Sequence, residues 1–524
     1  MRRSLLLLLL LPNLLVAQTE FAKVWETKLS FDPRWTTCTP DLDYVLAVVL
    51  TDFQMLDGAT GKTLWNYNFK EKHGVSKFER YSTHPENETV EVTIQKKGKD
   101  APEETFFLDY RTGAVVGEAQ LSGRVKEKTT RIPRSMRSRA VNQSSCTDVA
   151  SNTVVDVGYD AKRFMNAKSG SDLNITVEAS GGHSWKQNFT GRVVRHLTTD
   201  YLPADDGDVI LNITSGQGRV FVVYEGITCL DLATGKLLWS STFDNVQASG
   251  TLKVKQEIGR AAMPLIAADG VYICDFSKDE RSIKKLDLTT GAVLWTADKL
   301  KKDDIVSELL VDGGNLIARF GGVIRVEQYI PGMDGKPDTY KVDDVFEGST
   351  SIRAYDAATG KAIWNTEAME LEDNFKKSEC SLISGDGRVM ACGEKNIYAF
   401  DAANGKLLLQ GDYNAKVIGK ARWLYGYEGN YMVEGEKGIA QLKPDASVVY
   451  ATNTGKCLMT EMRGEAFIVW TGKATDDRNE FIRFDPAAGK VMGQVEDCPR
   501  PRFNGTGDRF ARFVGPKVTM FRTN

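Results

Sequence analysis

The feature that most restricts this chain is a ten-residue phrase that keeps returning. Leu56-Asp57-Gly58-Ala59-Thr60-Gly61-Lys62-Thr63-Leu64-Trp65 recurs from Leu230 to Trp239, from Leu286 to Trp295 and from Tyr355 to Trp364. Looser copies begin at Leu108, Phe400 and Phe484, and all seven keep glycine four residues after the aspartate: Gly61, Gly113, Gly235, Gly291, Gly360, Gly405 and Gly489. Two degenerate copies fill wide gaps. One ends at Trp185, with Val177 in the aspartate place and Gly181 in the glycine place; the other runs from Leu442 to Ser447.

Each part of the phrase has a physical job. The apolar residue ends one strand, and the aspartate carboxylate accepts backbone amides two and three residues on, closing a turn. Glycine supplies the positive φ that a short bulged hairpin loop requires. The tryptophan starts the next strand, burying its ring against a neighbouring unit while its N–H keeps a partner. Every copy is therefore a hairpin. Successive aspartate places lie 42 to 69 residues apart, a base period in the low forties plus insertions, which is the length of a four-stranded propeller blade. No amphipathic stretch of helical length interrupts them.

The sequence thus predicts an all-β chain, a single closed β-propeller over residues 23–524. Val24-Trp25-Glu26-Thr27-Lys28-Leu29 reads as a tryptophan strand without its preceding hairpin, and Val518-Thr519-Met520-Phe521 as a strand without its tryptophan partner. The N- and C-terminal strands are expected to share the closing blade, which removes two exposed sheet edges. The count is ten blades with the two degenerate copies and eight without them.

Residues 1–17 have another character. Arg2 and Arg3 precede seven consecutive leucines, Leu5 to Leu11, and the apolar run ends at Ala17. That order reads as a secretory signal cleaved after Ala17; it is too short for a spanning helix, which needs roughly 20 apolar residues. The expected mature protein is exported, periplasmic or secreted, soluble and monomeric, with no lipid anchor. In an oxidising compartment eight cysteines invite pairing. No Cys-x-x-Cys occurs, and one bridge can be argued locally: Cys380 and Cys392 flank Ser384-Gly385-Asp386-Gly387-Arg388 symmetrically about Asp386, so a hairpin turning there would bring them face to face. The alternative is two buried thiols.

At this point the repeat resembles the tryptophan-docking motif of pyrroloquinoline-quinone-type β-propellers, on Asp57, Thr60, Gly61 and Trp65 and their copies. That superfamily includes quinoprotein alcohol dehydrogenases and the propeller factor of the bacterial outer-membrane assembly machine. The resemblance implies a propeller, typically of eight blades, and it says little about function because the motif itself binds nothing. Two functions remain open under it: a non-catalytic binding scaffold for an envelope or extracellular protein, in a bacterial cell envelope, and a quinone-dependent alcohol or sugar dehydrogenase. The second would require the quinone with calcium or a lanthanide, an aspartate base, and often a vicinal disulfide. No Cys-Cys pair is present, and no matching metal set can be placed. The expected cofactor is none, with quinone and calcium only under the dehydrogenase reading.

Local chemistry favours the scaffold. Gly-x-Ser-x-Gly is absent, and none of the four histidines has a suggestive neighbour. With 67 basic and 70 acidic residues the net charge is −3, so nucleic acid is not an expected partner. One stretch runs against that balance: Arg124, Lys126, Lys128, Arg131, Arg134, Arg137 and Arg139 face a lone Glu127, a candidate loop for an acidic partner or lipid headgroups, or else a solvated excursion. Residues 326–347, around Ile330-Pro331-Gly332-Met333-Asp334-Gly335, form a second insertion of the kind that projects from a propeller face.

Overall fold

The computed structural model describes residues 21–522, except 86, 97–102, 117–144, 160–171, 193, 196–208, 211, 225, 245, 248–258, 261–262, 278–280, 302–303, 331–338, 368, 373–374, 376–377, 379, 472–479, 496–497 and 499–500. Among the described residues are ten four-stranded antiparallel sheets, the blades of a β-propeller. The two helices there are one-turn pieces, Phe69–His73 and Ala415–Ile418. In chain order, blade 1 spans residues 35–68, blade 2 80–116, blade 3 145–192, blade 4 212–241, blade 5 265–296, blade 6 306–365, blade 7 383–412, blade 8 421–453 and blade 9 459–495. Blade 10 is composite. Its strands at 502–522 are completed by Ala22–Lys28, with Trp25 opposite Met520 and Lys23 opposite Phe521. The count of ten stands, and both degenerate copies are blades.

The chain divides into two compact units, residues 1–135 with 454–524, and residues 136–453. The first unit contains blades 9, 10, 1 and 2; the second contains blades 3 to 8. In each unit the core lies between successive blades. Phe53, Trp65 and Tyr67 of blade 1 pack with Val90, Val92 and Leu108 of blade 2, and Phe221, Cys229 and Trp239 of blade 4 pack with Val271, Ile273 and Leu286 of blade 5. In the second unit the first strands of blades 5, 6, 7 and 8 touch in succession, so each blade presents its first strand to the inside and its fourth to the rim.

The repeat residues spend their chemistry on this stacking. Asp231 accepts the Thr234 amide at 2.8 Å and its hydroxyl at 2.7 Å, and Gly235 at φ +68° lets the chain turn. A Cβ on Gly235 would lie 2.4 Å from the Trp185 ring, so the glycine serves the neighbouring blade as well as the turn. Each docked tryptophan donates its Nε1–H to the carbonyl one residue after the next blade's turn aspartate: Trp25 to Gly58, Trp65 to Tyr110, Trp185 to Leu232, Trp239 to Leu288, Trp295 to Ala357 and Trp364 to Ala402. The hydroxyls of Thr234, Thr290 and Thr359 hold the Asp231, Asp287 and Asp356 carboxyls below the usual carboxylate range.

Blade 3 corrects one detail. Val177 is not at a turn but inside the strand Asp172–Gly181, opposite Gln187. Without an aspartate to gather amides, the hairpin forms no bulge: Ala179 pairs with Trp185 across five intervening residues, whereas Cys229 pairs with Trp239 across nine. Trp185 still reaches Gly235.

Candidate functional site: a two-stranded arm on blade 6

Residues used for stacking are not available for partners, so the departure from the repeat is where a site can form. Blade 6 departs most. Its second strand, Asn315–Ile330, has 16 residues and its third, Thr339–Asp356, has 18, against 6 and 6 in blade 4. Pairing runs regularly from Asn315 opposite Asp356 to Phe320 opposite Ser351, and breaks at Gly321. It resumes with Gly322 opposite Glu347 and continues to Ile330 opposite Thr339. The first strand of the blade, Val306–Asp312, pairs with the second no farther than Phe320, and the fourth begins its pairing at Arg353. Beyond the break the sheet is therefore, among the described residues, two strands wide. Its nine pairs give an arm about 30 Å long at about 3.4 Å per residue.

The sequence placed an insertion at 326–347; the structure makes its flanks regular strand and starts the arm at Gly322. The reason is legible in hindsight. Val323, Ile324, Val326 and Tyr329 on one side, and Tyr340, Val342, Val345 and Phe346 on the other, are strand formers around a Pro-Gly centre.

The base of the arm is pinned from several directions. Gly321 at φ +71° and Gly348 at φ +72° make the break; a Cβ on Gly321 would meet the Ser349 and Thr350 backbone at 2.7–2.8 Å. The Gly321 amide donates to the Ile305 carbonyl at 2.8 Å, and Ser307 Oγ donates to the Gly321 carbonyl at 2.7 Å. Thr350 Oγ1 donates to the Ser378 carbonyl of the segment leading to blade 7. Below them Arg353 grips both Asp304 oxygens at 3.0 and 2.9 Å and also reaches Glu367, with its guanidinium 3.8 Å from the centre of the Phe320 ring. Arg319 donates to the Cys380 carbonyl and lies 3.6 Å from Glu308, whose carboxylate accepts the Leu382 amide at 2.9 Å.

Sequence reading missed these charges. Arg353 and Arg319 were camouflaged as strand residues; the available signal was a charge inside a strand that is otherwise apolar. Burial pushes the Glu308 carboxyl above the usual range, against the opposing pull of Arg319 and the Leu382 amide. A carboxyl raised in the fold stabilises it fully only below its unfolded value, about 4.3, and that contribution is lost as pH climbs through the folded value. Glu308→Gln should therefore gain stability relative to the parent protein between about pH 4 and about pH 8. Urea melts at both pH values check this, and a gain that shrinks toward pH 8 would mean that the Arg319 pairing dominates.

Cys380 and Cys392 both lie buried in the core that joins blades 7 and 8. Ser378 Oγ links their backbones, donating to the Cys392 carbonyl and accepting the Cys380 amide. The hairpin between them is a two-residue turn, Asp386 at φ +52° and Gly387 at +70°, with Gly385 opposite Arg388. Its centre is half a residue past Asp386, which continues Cys392 toward position 381. Elsewhere, burial pushes the Cys38 and Cys229 thiols up to about 12, so neither offers a thiolate at neutral pH. The turn lysines Lys62, Lys236, Lys361, Lys406 and Lys490 are exposed, and His183 donates its amide to Thr153 Oγ1. Among the described residues no three His, Cys, Asp or Glu side chains gather as a metal site, and no helix is long and apolar enough to cross a membrane. The basic stretch Arg124 to Arg139 and the leader 1–17 lie outside the described residues.

The family model described as outer membrane protein assembly factor BamB matches residues 169–328 and 348–456, more than half of the chain. The chain belongs to that family. The match to this BamB family includes the degenerate blade 8 and stops short of the arm's return strand, between 328 and 348. No curated protein matches the chain. Among solved structures, the crystal structure of BamB from Moraxella catarrhalis is 14% identical, with 96% of this chain and 99% of that one covered and a TM-score of 0.31. Dihydro-heme d1 dehydrogenase NirN in complex with DHE is 9% identical, with 92% and 80% covered and a TM-score of 0.36. Both scores are too low for either likeness to carry an argument.

Proposed function

We propose that this BamB-family chain is a non-catalytic scaffold that binds other proteins, exported to a cell envelope or the extracellular space and acting there as a monomer without a cofactor. One observation carries the reading: the repeat chemistry is consumed between blades, while blade 6 extends nine strand pairs that no blade uses. The matched family's description, an assembly factor, supports the same class of function. Export is supported by the leader at 1–17, and a Cys380–Cys392 bridge belongs to the same proposal, since an oxidising compartment would favour it.

The test is in-cell crosslinking of the full chain followed by mass spectrometry, with thiol titration of the exported fraction. Crosslinks to other proteins are expected, together with two titratable thiols that appear only after reduction. Saturable binding of pyrroloquinoline quinone in the presence of calcium, with dye-linked oxidation of an alcohol or sugar, would overturn the reading in favour of an oxidoreductase.

A further inference from the structure

Asn-Gly occurs twice in the chain, at Asn404-Gly405 and Asn504-Gly505. Glycine has no Cβ to keep its backbone nitrogen from closing on the side-chain amide carbon of the residue before it, so both pairs carry the same latent chemistry. Their settings differ. Asn404 stands in the docking turn of blade 7, where blades 1, 2, 4, 5 and 6 have Thr60, Thr112, Thr234, Thr290 and Thr359. The threonine hydroxyls accept the amide two residues on at 3.3–3.5 Å, whereas Asn404 Oδ1 accepts the Lys406 amide at 2.9 Å. That bond holds the side-chain amide over the peptide of Gly405. Asn404 is exposed, and the Gly405 N–H donates to the Asp401 carbonyl at 2.8 Å within the same surface turn, so local opening is enough to free it. Asn504 is 5% exposed. Its Nδ2 donates to Thr506 Oγ1 at 2.8 Å and to Asp508, and the Gly505 N–H donates to the Pro40 carbonyl of blade 1 at 2.9 Å. Freeing that nitrogen means parting two blades.

We infer that Asn404 is a site of spontaneous modification, deamidating in the folded protein while Asn504 is kept. Gly405 N loses its proton to solvent and bonds to Asn404 Cγ; the Cγ–Nδ2 bond breaks, and Nδ2 takes up a proton from solvent and leaves as ammonia. Water then opens the cyclic imide at either carbonyl, so the sum is one water consumed and one ammonia released. One opening leaves aspartate. The other leaves isoaspartate, whose main chain runs through Cβ and Cγ and is longer by one atom. The position gives the change its consequence. Trp364 donates to the Ala402 carbonyl at 3.0 Å, and its ring lies so close that a Cβ on Gly405 would come within 2.7 Å of it. A lengthened chain at 404 displaces Gly405 from that ring, so each modified turn loosens blade 6 from blade 7. The inference is independent of the scaffold reading.

The full chain is aged in mildly alkaline buffer and mapped by mass spectrometry, and isoaspartate is counted by methyl transfer from S-adenosylmethionine with a protein isoaspartyl methyltransferase. The mass gain from amide to acid should appear at Asn404 at least about tenfold faster than at Asn504, with ammonia released in step and methyl groups accepted at 404. The same chain held in urea should react at both. Asn404→Thr installs the repeat's own residue, so its melting curve when fresh should stay that of the parent and its position 404 should stay unmodified. Hydrogen exchange at 362–365 and 402–405 should quicken with age in the parent and not in the variant. Equal rates at Asn404 and Asn504 in the folded chain would overturn the inference. So would an intact Asn404 at the time the urea sample has reacted at both sites, or equal loosening of the aged variant.

Discussion

Trp239→Ala is expected to lower the unfolding free energy by about 3–5 kcal/mol, the range for deleting a large buried aromatic side chain. The ring is 6% exposed, lies in the core between blades 4 and 5, and donates to the Leu288 carbonyl at 3.0 Å. Truncation leaves both a cavity over Gly291 and a carbonyl without its donor. Gly291→Ala attacks the same joint from the other side. Its φ of +69° disfavours any side chain, and the added Cβ would come within 2.5 Å of the Trp239 ring; a loss above about 1 kcal/mol follows. Because blades contact chiefly their neighbours, the damage should be local at first, lowering the urea midpoint and broadening the transition as the array uncouples. A loss for Trp239→Ala below about 1 kcal/mol would mean that the tryptophan dock is not what joins the blades.

Arg353→Met should cost about 3 kcal/mol, the lower end of the range for removing one member of a buried ion pair. The Arg353 and Asp304 side chains are 16% and 12% exposed, so Asp304 would keep a buried charge, its carboxylate still accepting the Lys301 amide. Methionine also gives up the stacking of the guanidinium on Phe320. Pairing Arg353→Met with Asp304→Leu should recover much of the loss, since the stranded charge is then gone. A denaturation cycle over the four proteins measures this. If the double variant is as unstable as the single one, Arg353 acts through packing rather than through its charge. Arg353 lies at the foot of the arm, so the single variant should also speed exchange at Gly348 to Ile352.

What could be read in advance follows from where the physics is local. The Asp-to-Gly turns, the strand order and even the degenerate blade around Lys443 were legible, because turn closure and tryptophan burial are specified within ten residues. The pairing of Trp25 with Met520 was legible for a different reason: each end of the chain displayed half of a recognisable blade. The arm was only partly so. Its insertion was visible, but strand formers flanking a Pro-Gly centre are equally the mark of a loop, and only the register of Gly322 with Glu347 tells the two apart. The charged base was legible only as charges inside otherwise apolar strands. Arg319 and Glu308 face each other across one hairpin, but Cys380 lies 61 residues beyond Arg319, and nothing local requires it to meet them. The hairpin at Asp386 shows the smallest error, since symmetry of residue spacing does not fix whether a turn has two residues or three.

The composite blade sets a timetable for synthesis. Lys28 finds its strand partner in Lys517, so this strand is made about 490 residues before the one that covers its edge. Blades 1 to 9 can stack as they are made, whereas the tenth closes only once Lys517–Arg522 exists. Until then the strand Ala22–Lys28 lacks the partner that covers its edge, which is the interval in which edge-to-edge association with other chains is least opposed.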